Sequence, residues 1–144
     1  MDSDLKKWLA AEGFGENLHG LVVNRTTPLM RAAFLGDEAM AKKIIASGGD
    51  PLARNADGNQ ALWLACVDMH LRMIELLLDS GLDIDNRNDN GATPLMYAAS
   101  SGRTEVVQLL LARGAALDIE TLDGFTATDM AANLPILKLL RAAR

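Results

Sequence analysis

The stretch Gly91-Ala-Thr-Pro-Leu-Met-Tyr-Ala-Ala-Ser-Ser-Gly-Arg-Thr-Glu-Val-Val-Gln-Leu-Leu-Leu-Ala-Arg-Gly-Ala115 decides how this chain folds. Thr93-Pro94 reads as a helix start: a hydroxyl at the cap, then proline at the first helical position, where its missing N–H costs nothing. Leu95, Ala98 and Ala99 share one side at helical spacing, and the alanines admit a neighbouring helix closely. Gly102 stops this short helix in a left-handed cap. The spacing predicts a second helix over 105–112, with Val106, Val107, Leu110 and Leu111 on it and Gly114 at its end. Just upstream, Asp83-Ile-Asp-Asn-Arg-Asn-Asp-Asn-Gly91 is rich in turn formers and predicts a projecting loop or hairpin finger.

The same text recurs. Thr27-Pro-Leu-Met-Arg-Ala-Ala33, Gln60-Ala-Leu-Trp-Leu-Ala-Cys66, Thr93-Pro-Leu-Met-Tyr-Ala-Ala99 and Thr126-Ala-Thr-Asp-Met-Ala-Ala132 each start 33 residues after the last. Gly48, Gly81 and Gly114 keep that step, as do Gly58, Gly91 and Gly124, and the pairs Ile44-Ile45, Leu77-Leu78 and Leu110-Leu111. Several independent columns held in register over four copies mark a repeat array, each unit reading helix, turn, helix, finger.

These residues closely resemble the ankyrin repeat. The likeness covers positions 22 to 132, and its T-P-L-x-x-A-A-x-x-G and L-L-x-x-G-A signatures are specific. It implies an all-α solenoid of stacked helix-turn-helix units with fingers along one edge. It also implies non-catalytic protein binding through the fingertips and the concave helix face. On this reading residues 1–144 form a single domain: a capping helix and long finger over 1–21, repeats at 22–54, 55–87 and 88–120, and a C-terminal capping repeat at 121–144.

The ends read as caps, since the terminal units of a solenoid have only one neighbour. Trp8-Leu-Ala-Ala-Glu-Gly13 matches the end of a second helix, with Asp2 or Ser3 as its cap and Lys6 and Lys7 facing water. The first finger is two residues longer than the second, and Ile136-Leu-Lys-Leu-Leu140 arrives three residues early. That shortening is expected in a turn at Asn133-Leu134-Pro135 between two helices, with Lys138, Arg141 and Arg144 giving the last helix a basic outer face. Met30, Trp63 and Met96 stand where the family often has histidine after T-P-L, so apolar packing replaces a polar bridge. Met69 stands where Gly36 and Gly102 end their helices. Two readings fit it: a left-handed methionine strained by about 1–2 kcal/mol, or a turn of another shape.

Hydrophobic residues make up 49% of the chain, charged ones 23% and aromatics only 4%, so the core must be aliphatic and alanine-rich. The net charge of −5 argues against a nucleic-acid-binding surface. A lone cysteine, Cys66, makes no internal disulfide. No basic n-region with an apolar run is visible at the start, and no apolar stretch suits a membrane span. The expectation is a cytoplasmic protein, monomeric in isolation, with no cofactor. Asn86-x-Asn88-x-Asn90-Gly91 superficially resembles a calcium loop but leads with amides and lacks the later glutamate. No phosphate-cradling loop, nucleophile elbow or metalloprotease motif is present. Cys66 and His70, four apart, are the one pair that could carry groove chemistry, although Cys66 sits in a small-residue column that suits a buried hydrophobe.

The resemblance places the residues after the paired small residues in the concave groove: Phe34-Leu35, Val67-Asp68, Ser100-Ser101 and Asn133-Leu134, with Tyr97 farther along. Phe34, Leu35 and Val67 form an apolar cluster suited to an interface; packing of Phe34 and Leu35 against the longer first finger is the other reading. Arg54, Asp57, Arg87 and Asp89 lie on the fingers, either as a solvated row or as a mixed-charge recognition edge. The partner expected is another protein, bound and modulated at repeats one to three. The other readings are a small-molecule or catalytic role near Cys66 and His70, and a passive scaffold assembling end to end.

Overall fold

Most helices begin and end where the sequence supplies a cap. In the computed structural model, which covers residues 1–144, there are eight α-helices. They are α1 (Ser3–Ala11), α2 (Pro28–Leu35), α3 (Glu38–Ala46), α4 (Ala61–Val67), α5 (Leu71–Asp79), α6 (Pro94–Ser100), α7 (Thr104–Ala112) and α8 (Leu134–Ala142). There is no β-sheet, only an isolated bridge between Val22 and Thr26. Thr27 and Thr93 accept the N–H groups of Met30 and Met96 at 3.2 and 3.3 Å. The methionine sulfurs answer by accepting the Thr27 and Thr93 N–H groups, each at 3.4 Å. Met30 and Met96 thereby fill the histidine column as buried apolar residues that also help to close the cap.

The helix ends repeat one hydrogen bond. The N–H of Asp37, His70 and Arg103 returns to the carbonyl of Ala32, Ala65 and Ala98 at 2.9, 3.1 and 3.0 Å. This six-to-one closure requires a left-handed residue just before the donor. Gly36 and Gly102 supply it, and in the middle copy Met69 does, at φ +54°. Of the two readings of Met69, the left-handed one holds. Its helix is irregular at the other end too. Gln60 replaces the capping threonine, makes no side-chain cap, and buries an Oε1 with no partner.

The chain divides into two compact units, Met1–Leu82 and Asp83–Arg144. In the first, α2 packs on α3 and α4, α4 on α5, and α1 on α3. Ala32, Ala33, Ala65 and Cys66 are fully buried where the helices approach, with Leu29, Leu62, Ile74 and Leu77 filling the layers. Each such leucine contributes about 1.5–3 kcal/mol by burial. The leading helix is held by Leu5 and Leu9, both fully buried. Asp2, not Ser3, caps it, accepting from the Asp4 and Leu5 N–H groups at 2.7 and 3.0 Å. Lys43 on α3 lies 3.2 Å from Asp2 and 3.5 Å from Asp4. Trp8 stacks on Phe14, which is buried under the long first finger.

In the second unit α6 packs on α7 and α7 on α8, around Leu95, Ala98, Val106, Leu110, Ile136 and Leu140. Here one expectation is corrected. Residues 126–132 do not form an α-helix but a single turn, and Leu134 and Pro135 are not a linking turn but the first residues of α8, capped by Asn133. Thr93 and Arg103, which flank α6, are ten residues apart, whereas Thr126 and Asn133 are seven apart. The three missing residues are nearly one helical turn, and they come out of the helix itself. What remains is held by Asp129, which accepts from the Thr126 N–H and hydroxyl at 2.9 and 3.1 Å, and by Ala132 N–H donating to Ala99 at 2.9 Å.

Replacing Met69 by glycine removes a strained side chain that is 43% exposed, so Met69→Gly is expected to stabilise the protein by roughly 1 kcal/mol; urea denaturation of the two proteins reads it, and a loss of stability would mean that packing of the methionine outweighs the strain.

Hydrogen bonds from the Leu5 N–H first, and then Lys43, hold the Asp2 carboxyl below its usual 3.8. A depressed carboxyl contributes stability above its unfolded value and loses it as pH falls through the folded value. The leading helix should therefore loosen in acid below about pH 4, which Trp8 fluorescence in a Trp63→Phe background detects. Asp2→Asn, which keeps the cap but not the charge, should flatten that dependence; an unchanged profile would assign the acid response elsewhere.

Candidate functional site

In Met1–Leu82 the end of α2 and the end of α4 present the apolar cluster. Phe34 and Leu35 are 37% and 41% exposed; they do not bury themselves under the first finger. Val67 is half-buried and Asp68 exposed. The Arg31 guanidinium lies 5.9 Å from the Phe34 ring centre and is held by Glu12 at 2.9 Å. His70 ties the two helix ends together. Its Nε2 donates to the Phe34 carbonyl at 2.9 Å and lies 3.5 Å from the Asp68 carboxylate. Its ring rests on Gly36, where an added Cβ would come within 2.5 Å of Nδ1. Glycine is thus required at position 36 for both its left-handed φ and this contact.

On the fingers of the same unit, Arg54 turns inward and donates to the Gly58 carbonyl at 2.6 Å. Asp57 accepts from the Asn24 amide at 3.3 Å, and Ala56 N–H donates to the Asn24 carbonyl at 3.0 Å. Neighbouring fingers are thus joined at their tips. Asn55 Oδ1 shapes the finger by accepting from the Asp57 and Asn59 N–H groups, each at 3.0 Å.

In Asp83–Arg144 the same pattern recurs. Asn88 Oδ1 accepts from Asn90 and Ala92, and Leu122 N–H donates to the Asn90 carbonyl at 3.0 Å. Asn86 donates to the Asp83 carbonyl at 2.8 Å, so the amides of the calcium-like segment are spent on shaping the finger. Arg87 donates to the Gly91 and Glu120 carbonyls at 3.1 and 2.6 Å, while Asp89 stays exposed. Tyr97 is half-buried under Arg103, 5.1 Å from its ring centre. The Ser100 and Ser101 hydroxyls turn back to the Tyr97 carbonyl. No group of three histidine, cysteine, aspartate or glutamate side chains is gathered for a metal, and no helix is long and apolar enough to cross a membrane.

A family model described as Ankyrin repeats (3 copies) matches residues 2–88, 29–123 and 73–143, which together span nearly the whole chain. The chain belongs to the ankyrin repeat family. Comparison with curated proteins found no match. Ankyrin repeats are in general protein-interaction modules and typically non-catalytic.

In this ankyrin-repeat chain Cys66 is fully buried in α4, and the His70 Nε2 is committed to a backbone carbonyl. Two features escaped the sequence reading. One is an open groove of about 530 Å³ between α3 and α5, lined by Lys42, Ile45, Arg72, Glu75 and Leu76. The other is that large apolar residues on the fingers are more open to solvent than those at the end of α2. Leu21, Val23 and Leu52 are 55%, 89% and 58% exposed, and Leu122 and Phe125 are 74% and 53%. In the first two fingers exposed and covered positions alternate over 19–23 and 52–56, a pattern that a reading of the fingers as turns by composition passes over.

Thiol labelling of the folded protein tests the burial of Cys66: no reaction is expected until denaturant opens α4, and rapid labelling under native conditions would show that the thiol is accessible.

Proposed function

We propose that residues 1–144 act as one non-catalytic module that binds another protein and modulates its activity or location. On this reading Phe34, Leu35 and Val67 are the central anchors, with Asp68 beside them and Arg54 and Asp57 as the rim, and in Asp83–Arg144 the candidate contacts are Tyr97, Ser100 and Ser101 with Arg87 and Asp89. The observation that carries the reading is the exposure of Phe34 and Leu35 side by side at the end of α2. Large apolar side chains left open beside a well-packed core are typical of interface anchors. Support comes also from His70, whose bond to the Phe34 carbonyl fixes the backbone that presents them. The module acts as a monomer in the cytoplasm on this proposal.

Affinity capture from native cell extract tests it. Phe34→Ser with Leu35→Ser should abolish capture while circular dichroism stays unchanged, each anchor accounting for more than about 1–2 kcal/mol. Charge reversal at Arg54 or Arg87 should chiefly slow association and alter its salt dependence. Unchanged capture by the folded double variant would move the site off this groove.

A further inference from the structure

The last three fingers end in the same kind of tip, an acid or its amide followed by glycine: Asp57-Gly58, Asn90-Gly91 and Asp123-Gly124. Only the third finger puts asparagine before glycine, and no other asparagine in the chain is followed by one. That dipeptide is chemically labile. The glycine nitrogen, unhindered by a side chain, can attack the asparagine side-chain carbonyl carbon and close a cyclic imide with loss of ammonia. The fold cannot avoid the glycine. Gly91 has a φ of +75°, and a Cβ added there would stand 2.8 Å from the Arg87 guanidinium and 3.1 Å from the Leu122 nitrogen.

The same fold withholds the reaction. Gly91 N–H donates to the Asn88 carbonyl at 2.9 Å, closing a turn over 88–91. Neither Asp89 nor Asn90 has a positive φ, so the turn is type I, which holds ψ of its third residue at about 0°. The imide closes only when the Gly91 nitrogen eclipses the Asn90 Cβ, so ψ must rotate far from the turn. That rotation would swing the Asn90 carbonyl, which accepts the Leu122 N–H of the fourth finger at 3.0 Å. The Asn90 side chain is exposed, whereas Asn86 and Asn88 engage theirs within the finger. The electrophile thus stands open, and hydrogen bonds at the tip hold back the nucleophile.

We propose that Asn90 is a self-modification site gated by the third finger: the closed tip preserves the amide, and opening of the tip commits the residue to deamidation. The Gly91 nitrogen bonds to the Asn90 Cγ and gives its proton to solvent. The side-chain nitrogen leaves as ammonia, taking a proton from water. A second water opens the imide at either carbonyl, giving aspartate or isoaspartate with no redox change. Isoaspartate routes the main chain through Cβ and Cγ. It lengthens the turn by a methylene and converts the carbonyl that held Leu122 into a displaced carboxylate. The tip bond between the third and fourth fingers is then lost for good, so the chain keeps a record that the finger has opened. The proposal is independent of the protein-binding reading.

The test incubates the folded chain, and the chain unfolded in guanidinium chloride, in the same mildly alkaline buffer. Peptide mapping by mass spectrometry follows the amide-to-acid gain at Asn90. Because only the open fraction reacts, the folded chain is expected to convert at least about tenfold more slowly; equal rates would overturn the proposal. Leu122→Pro removes the donor of the tip bond, while proline suits the second position of its own turn over 121–124, which Gly124 N–H closes onto Thr121 at 2.9 Å. It is expected to speed conversion in the folded chain about threefold or more at an unchanged denaturation midpoint. An unchanged rate, or a rise no larger than a lowered midpoint accounts for, would remove the gate. In the isoaspartate product the Leu122 amide should exchange freely with solvent, and retained protection would refute the loss of the tip bond.

Discussion

The fold depends on one backbone requirement: a left-handed residue wherever a helix stops and the chain turns back. The closure recurs after the second helices, where Gly49, Leu82 and Ala115 N–H groups return to Ile44, Leu77 and Leu110, and after α1, where Phe14 returns to Leu9. Each of these donors follows a glycine of positive φ, at Gly48, Gly81, Gly114 and Gly13. Short helices of seven to nine residues are marginal alone. They persist here because each stop sends the chain back at a fixed angle, so that alanine-faced helices meet closely enough to bury leucine, isoleucine and methionine between them.

The fingers obey a second, directional rule. An N–H at the tip of one finger reaches the carbonyl at the tip of the finger before it, from Ala56 to Asn24 and from Leu122 to Asn90. Asparagine side chains occupy the inside of the second and third fingers, satisfying backbone donors that would otherwise be stranded. Arg54 and Arg87 add bonds to the Gly58 and Gly91 carbonyls, and the remaining outward positions are freed from structural duty. They can differ in charge and polarity from finger to finger, and they do.

The repeat was legible because capping threonines, alanine pairs and stop glycines each have a local steric reason and recur at one interval. What stayed hidden was whatever that interval does not encode. A count of residues shows that three are missing before α8, but not that the preceding helix, instead of the linker, gives them up; hydrogen bonds at Asp129 and Asn133 decide that. The letter at Met69 does not reveal its φ; only the recurring return bond to Ala65 does. At the binding edge, Phe34 and Leu35 drew attention because large apolar residues in an open column stand out by type. Leu21, Val23 and Leu52 passed unnoticed because their openness follows from strand-like alternation inside segments that look like turns.

The irregularities of α4 give the molecule a mechanical character. A repeat array transmits load from unit to unit through nearest-neighbour contacts and yields first at the unit with the weakest local stability. In Met1–Leu82 that unit is built around α4, whose first turn lacks a side-chain cap and whose last turn is closed by a methionine instead of glycine. Within the same unit α2 has a threonine cap and a glycine stop. Tension along the chain would therefore release α4 before α2, which turns a pair of imperfect helix ends into a built-in fuse.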